Sequence, residues 1–292
     1  MKLDGRRQST NVDDRRSSTA GRTAGLGIGG MVILGLIIWA TGGNPLQVLQ
    51  YSGGMGSATQ TEYVETEEDK ALMQFSSTIF AGTEDVWTAI FKQMGKTYVP
   101  PKLVVFNGAV SSGCGNATSS TGPFYCSADQ SVYLDLSFFK EMKSQFGTSG
   151  DFAWAYVIAH EVGHHVQNQL GTLRQVQQAQ ARASQVESNR LNVRLELQAD
   201  FFAGIWAYYD NKFFGSLEEG DVDEGLRIAS AIGDDRLQKQ AQGYVVPESF
   251  NHGTSAQRSK WLKKGLTTGD ISLGDTYSPA YEALYLFSNN SI

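Results

Sequence analysis

From Ala24 to Thr41 the stretch AGLGIGGMVILGLIIWAT is apolar or small at every position, and no charged residue stands between Arg22 and Glu62. Eighteen helical residues reach about 27 Å, just enough to cross a hydrocarbon core. Trp39 sits at the far end, where indole favours the membrane interface. The pattern predicts one N-terminal transmembrane helix over residues 24–41. A cleaved signal peptide competes, with Ala40-Thr41-Gly42 as a loose processing site, but the long polar head before the span disfavours it. A buried soluble helix would fit a stretch with no polar face least well. Residues 42–61 are uncharged and rich in Gly, Ser and Gln, as suits a linker.

Beyond the linker the pattern becomes that of a folded domain, expected over residues 62–292. Leu72, Phe75, Ile79, Val86, Ile90 and Met94 give helical spacing from Asp69 to Met94, with Gly82 marking a break. KLVVFNG (102–108) and SVYLDLSFF (131–139) read as strands, and in the second Val132, Leu134 and Leu136 alternate with Tyr133 and Asp135. A helix then carries Ala153, Tyr156, Val157, Ala159, Val162 and Val166 as apolar surface, with Ser149 or Asp151 to cap it and Gly171 to end it. Residues 172–210 are helix-permissive nearly throughout, amphipathic from Leu191 and strongly apolar from Phe201 to Tyr209. Further helices are expected over 222–240 and 255–264, the latter capped by Ser255 and stopped by Gly265. The fold class is α+β, mostly helical with a small sheet.

Charge divides the chain. Residues 1–23 carry Lys2, Arg6, Arg7, Arg15, Arg16 and Arg22 against Asp4, Asp13 and Asp14, a net of +3 where the whole chain is −6. A basic head before an apolar span predicts a single-pass protein with its N-terminus in the cytoplasm and its body outside, periplasmic or extracellular. The acidic body argues against nucleic acid as partner. Cys114 and Cys126 lie in a Gly/Ser/Thr-rich loop that this topology puts in an oxidising compartment, so a disulfide is expected, and nothing nearby completes a zinc ribbon.

Three of the four histidines fall in AHEVGHHVQ. On a helix His160 and His164 share a face, while His165 is turned roughly 140° from His160. His160, Glu161 and His164 form H-E-x-x-H, in which two imidazoles bind zinc and the carboxylate between them is a general base. Gly163 is costly inside a helix and suggests a close approach of neighbouring backbone or substrate. A third ligand must come from elsewhere, from His252 or from a carboxylate. ELQAD offers Glu196 and Asp200, four residues apart on one face, where Glu196 could ligate metal and Asp200 accept the ring N–H of a ligand histidine. Taken alone, Glu196 reads better as an ordinary salt-bridge partner of Arg190 or Arg194 than as a ligand.

H-E-x-x-H followed by E-x-x-A-D resembles the gluzincin branch of zinc metallopeptidases, and most closely the bacterial putative neutral zinc metallopeptidases. GRRQSTNVDDRR, GPFYCSADQSVYLDLSFF, AHEVGHHVQ, ELQADFFAGIWA and HGTSAQRSKWLKKGLTTGD carry the resemblance over most of the chain. It implies a zincin-like domain with Zn2+, in which His160, His164 and Glu196 are ligands and Glu161 the base, preceded by a membrane segment. His252 and Arg258 resemble the downstream His/Arg pair of CAAX-protease and heat-shock protease relatives, and could instead cap the Ser255 helix. The function expected is a membrane-anchored metalloendopeptidase acting on a peptide or protein substrate. The alternative is a catalytically idle, zinc-stabilised scaffold binding partners through its Gln/Arg-rich helix. The strand Val132–Leu136 is expected to border the cleft and receive substrate as an added strand.

Overall fold

The computed structural model describes residues 1–17, 63–146 and 150–278. The predicted span, residues 24–41, and the linker, residues 42–61, lie outside the described residues. Among the described residues no helix is long and apolar enough to cross a membrane.

Among the described residues, six strands and eight α-helices follow one another. They are β1 (Val12–Asp14), α1 (Glu67–Gln93), β2 (Lys102–Phe106), β3 (Ala109–Ser112), β4 (Gly115–Thr118), β5 (Phe124–Cys126), β6 (Ser131–Asp135) and α2 (Ser137–Phe146). The helices α3 (Asp151–Leu170), α4 (Thr172–Gln180), α5 (Gln185–Phe214), α6 (Asp221–Ala231), α7 (Asp234–Gln242) and α8 (Ser255–Thr268) complete them. The main sheet has the order β1-β2-β6-β5, with β1, β2 and β6 parallel and β5 antiparallel to β6. β3 and β4 form a separate hairpin.

The strand Val132–Leu136 is not an edge. β6 pairs with β2 on one side and with β5 on the other, so its ladder groups are already engaged, and the expectation that it receives substrate is overturned. Its alternation is also misleading, because all five residues of β6 are buried. Leu103, Val105, Val132 and Leu134 face the helices, while Val104, Phe106 and Tyr133 are covered by Val110 and Ala117 of the hairpin. A central parallel strand sandwiched in this way reads as half-polar only where a polar atom finds a partner. Tyr133 Oη does so by donating to Asp129 at 2.7 Å. The free edge next to the helices is β5.

Several helix boundaries differ from the periodicity. α1 runs through Gly82 without a break, since the glycine serves a contact rather than a turn. A Cβ there would lie 2.6 Å from both Arg6 Nη2 and Asp210 Oδ1. α4 and α5 are separated at residues 181–184, where Ser184 caps α5 by accepting from Glu187 N. Gly233 divides the 222–240 segment into α6 and α7. α8 is capped by Thr254 in a capping box with Gln257 and passes Gly265 to end at Gly269. Gly265 lies against the α5 backbone at Phe201, where no side chain would fit.

Residues 1–17 are part of this body. Val12–Asp14 adds β1 beside β2, and Arg6 reaches the buried Asp210 of α5 with bonds of 2.9 and 2.6 Å. α3 runs through the middle of the molecule between α1, α5 and α6, with Phe152, Tyr156, Ile158 and Val162 wholly buried. That placement carries its polar residues into the interior.

Candidate metal centre

The two ends of α3 explain how its polar face is set. Gly150 precedes it in an extended conformation and Gly171 closes it at φ +86°, a left-handed position natural for glycine. Between them His160 and His164 project from one face towards Glu196 on α5. His160 Nε2 lies 3.2 Å from Glu196 Oε2, and His164 Nε2 lies 3.5 Å from Glu196 Oε1. One ligand atom from each of the three lies within 4.8 Å of the others. The helices can approach this closely because a Cβ on Gly163 would stand only 3.0 Å from the Ala199 carbonyl oxygen and 3.2 Å from its Cα. Gly163 in the first motif and Ala199 in the second are therefore two halves of one contact.

Each imidazole is held from behind. His160 Nδ1 lies 2.9 Å from Asp200 Oδ1, and that carboxylate also accepts from Tyr156 Oη at 2.6 Å. Arg258 donates to Asp200 from Nε and Nη2, both at 2.9 Å, and from Nη2 to Tyr156 Oη at 3.3 Å. His164 Nδ1 donates to Gln167 Oε1 at 2.9 Å, while Gln167 Nε2 is fixed on Leu195 O at 2.7 Å. Both Nε2 atoms thus face the same point as the Glu196 carboxylate.

The donor set fits zinc: two imidazole nitrogens and one carboxylate, all within 4.8 Å of one another and oriented by their own partners. The electrostatics agree. Burial would lower the His160 pKa, but Asp200 and Glu196 outweigh it and push it up to about 10, so the site favours a cation. Burial would raise the Glu196 carboxyl, yet the His164 and His160 imidazoles hold it well below the usual carboxylate range. His164 is pushed down, first by burial.

Glu161 lies on the same buried stretch of α3. Burial, with the charge of Glu196 adding to it, pushes its carboxyl up to about 8. The backbone N–H of Tyr125 in β5 hydrogen-bonds this carboxylate. The Tyr125 side chain runs on to His165, which explains the third histidine of the cluster. His165 Nε2 lies 2.8 Å from Val99 O, which can only accept, so Nδ1 is the acceptor of the Tyr125 hydroxyl at 3.0 Å. Asn168 Nδ2 also donates to that hydroxyl at 3.0 Å. His165 thereby ties the edge strand to the metal helix, and burial pushes its pKa down to about 4.

His252 and Arg258 have separate buried carboxylate partners, and the cap of α8 is Thr254 rather than either of them. Arg258 is committed to Asp200. His252 Nδ1 lies 3.0 Å from Asp234 Oδ1, while Asp234 Oδ2 accepts the backbone N–H groups of Asn251, His252 and Gly253 at 2.9, 2.7 and 2.9 Å. Sequence reasoning missed Tyr156, Gln167 and Asp234. Tyr156 offered a signal in its spacing, four residues before His160 on the same helical face, whereas the others offered none. Cys114 and Cys126 are bonded, S–S 2.09 Å, and link the hairpin to β5.

The profile of the family described as putative neutral zinc metallopeptidase matches residues 1–277. The chain is 48% identical over 286 residues to the uncharacterized protein YpfJ of Escherichia coli (strain K12), covering 95% of this chain and 99% of that protein. It is 44% identical over 203 residues to the uncharacterized protein Mb2605 of Mycobacterium bovis, covering 66% of this chain and 67% of that protein. The uncharacterized protein Rv2575 of Mycobacterium tuberculosis is matched to the same extent. No solved structure matches the chain.

Proposed function

This chain belongs to the putative neutral zinc metallopeptidase family, and on that premise we propose that it is a zinc-dependent endopeptidase, held at a membrane and hydrolysing peptide bonds outside the cytoplasm. The observation that carries the reading is Glu161, a buried carboxylate next in sequence to His160 of the His160–His164–Glu196 cluster that could hold a metal, with a hydrogen bond to the backbone of β5. A purely structural metal would need no such base, which favours an enzyme over an idle scaffold.

Zinc bound by these three residues would supply a Lewis acid that brings the pKa of water near 7. Glu161, next to His160 on α3, would take a proton from water and return it to the leaving amine. β5 is an edge strand of the sheet, its Tyr125 N–H turned to Glu161, and an extended peptide would add beside it through the remaining main-chain groups, which gives affinity without fixing a sequence. His252, oriented through Nδ1 by Asp234, is assigned to the negative charge that develops on the carbonyl oxygen. Arg258 works at one remove: it fixes Asp200, and Asp200 fixes His160. The apolar Ala24–Thr41 stretch supports attachment to a membrane, and the Cys114–Cys126 disulfide supports an oxidising compartment.

The test is metal analysis of the full chain together with cleavage of a peptide library, with Glu161→Gln as the control. Zinc near one equivalent with cleavage that vanishes in the variant supports the proposal. Full zinc with no cleavage in the parent chain would leave the idle, partner-binding protein.

A further inference from the structure

We infer that residues 1–17 and the zinc domain lie on the same side of the membrane. The consequence for the bilayer rests on the membrane attachment proposed above. The geometry does not.

Three observations carry it. The head supplies a strand of the domain's own sheet: Val12, Asp13 and Asp14 are in parallel register with Leu103, Val104 and Val105, continued by Arg15 N to Val105 O at 2.7 Å. It also supplies the partners of two buried carboxylates. Arg6 enters the slot left by Gly82 to meet Asp210, which is fully buried. Glu84, also buried, receives Ser9 Oγ at 2.6 Å, Asn11 Nδ2 at 2.8 Å and Arg7 at 2.9 Å. Both carboxylates would be left buried and unmatched if the head stood across a bilayer, and such groups are costly. Finally, the two ends of the intervening chain meet: Arg16 donates to Tyr63 Oη at 3.0 Å and to Glu65 at 2.8 Å. The end of the head and the start of the following described segment therefore stand side by side.

The charge pattern that suggested the opposite topology has another use. Arg6, Arg7, Arg15 and Arg16 are paired with Asp210, Asp85, Asp13 and Asp14 respectively. A basic flank retains a head in the cytoplasm through charge left exposed at the membrane. Among the described residues, these four arginines have their charge matched within the fold.

The test uses the full chain with single cysteines at Thr10 and Gln178, both exposed and far apart in sequence. A membrane-impermeant maleimide is applied to spheroplasts before and after lysis, with the parent chain as blank. Labelling of both positions before lysis, or of both only after it, supports the inference; the second outcome would remove the extracytoplasmic reading while leaving this one intact. Labelling of one position without the other before lysis overturns it, as does a mature chain that lacks the head. Docking itself is read by charge exchange. Arg6→Asp and Asp210→Arg should each lower the thermal midpoint by roughly 10 °C, and the double exchange should recover more than half. Purely additive losses would count against the contact.

Discussion

The Arg258 guanidinium donates twice to the Asp200 carboxylate, from Nε and Nη2 at 2.9 Å each, and both side chains are buried. Asp200 in turn stands 2.9 Å from His160 Nδ1. Removing the cation leaves a buried carboxylate short of its partner, so Arg258→Met should destabilise the fold by about 3–5 kcal/mol and weaken zinc binding by roughly 10 to 100-fold. Arg258→Lys keeps the charge but not the planar fork and should recover only part of both. Urea denaturation and competition with a zinc chelator read the two effects separately. Unchanged zinc affinity in Arg258→Met would show that Asp200 holds His160 unaided.

Two glutamates face the centre with different tasks, and their amides should separate them. Glu161→Gln preserves the shape and leaves both imidazoles in place, so zinc should stay while turnover falls by about 10² to 10⁴. Glu196→Gln replaces a ligand carboxylate, whose charge a dication favours, by a neutral amide and should lower zinc content itself. Metal analysis and peptide hydrolysis run on both variants decide between the roles. A fully zinc-loaded Glu196→Gln would remove Glu196 from the ligand set.

What could be read from the chain alone was what repeats locally. The shared face of His160 and His164 follows from helical pitch, and so does that of Glu196 and Asp200. Gly163 could be recognised as an anomaly, although its partner Ala199 lies a whole helix away. Contacts between elements leave no such trace. Asp234 meets His252 across 18 positions and Gln167 meets Leu195 across 28, and neither residue stands out by type. β1 is three residues of mixed polarity and β5 is equally short, too brief for a period to show. The central place of β6 likewise comes from its two partners, since both faces are covered and its alternation no longer reports exposure.

The disulfide should act on substrate more than on metal. It ties β5, an edge strand of the sheet among the described residues, to the hairpin, while the three candidate ligands lie on α3 and α5. Cys114→Ser with Cys126→Ser, or reduction, should cost up to about 3 kcal/mol on the chain-entropy account. It should raise KM by more than it lowers kcat and leave zinc stoichiometry unchanged. Loss of zinc on reduction would mean that the strand supports the ligand helices rather than the substrate.

Glu141 gives a pH dependence remote from the metal. Both its carboxylate oxygens are buried without a hydrogen-bond partner among the described residues, and burial, followed by the nearby charge of Asp135, pushes its pKa up to about 7. The unfolded chain releases this proton near 4.5, the folded one near 7. Between those values the folded state binds more protons, so this group's contribution to stability falls as pH rises through the window. Below about 4.5 both states are protonated and the contribution is flat; above about 7 both are ionised and the full penalty stands. Glu141→Gln should remove that slope and stabilise the protein at pH 8 relative to the parent, with little difference at pH 4. Denaturant midpoints for both proteins across that range provide the check, and parallel curves would show that the carboxyl finds solvent in the folded state.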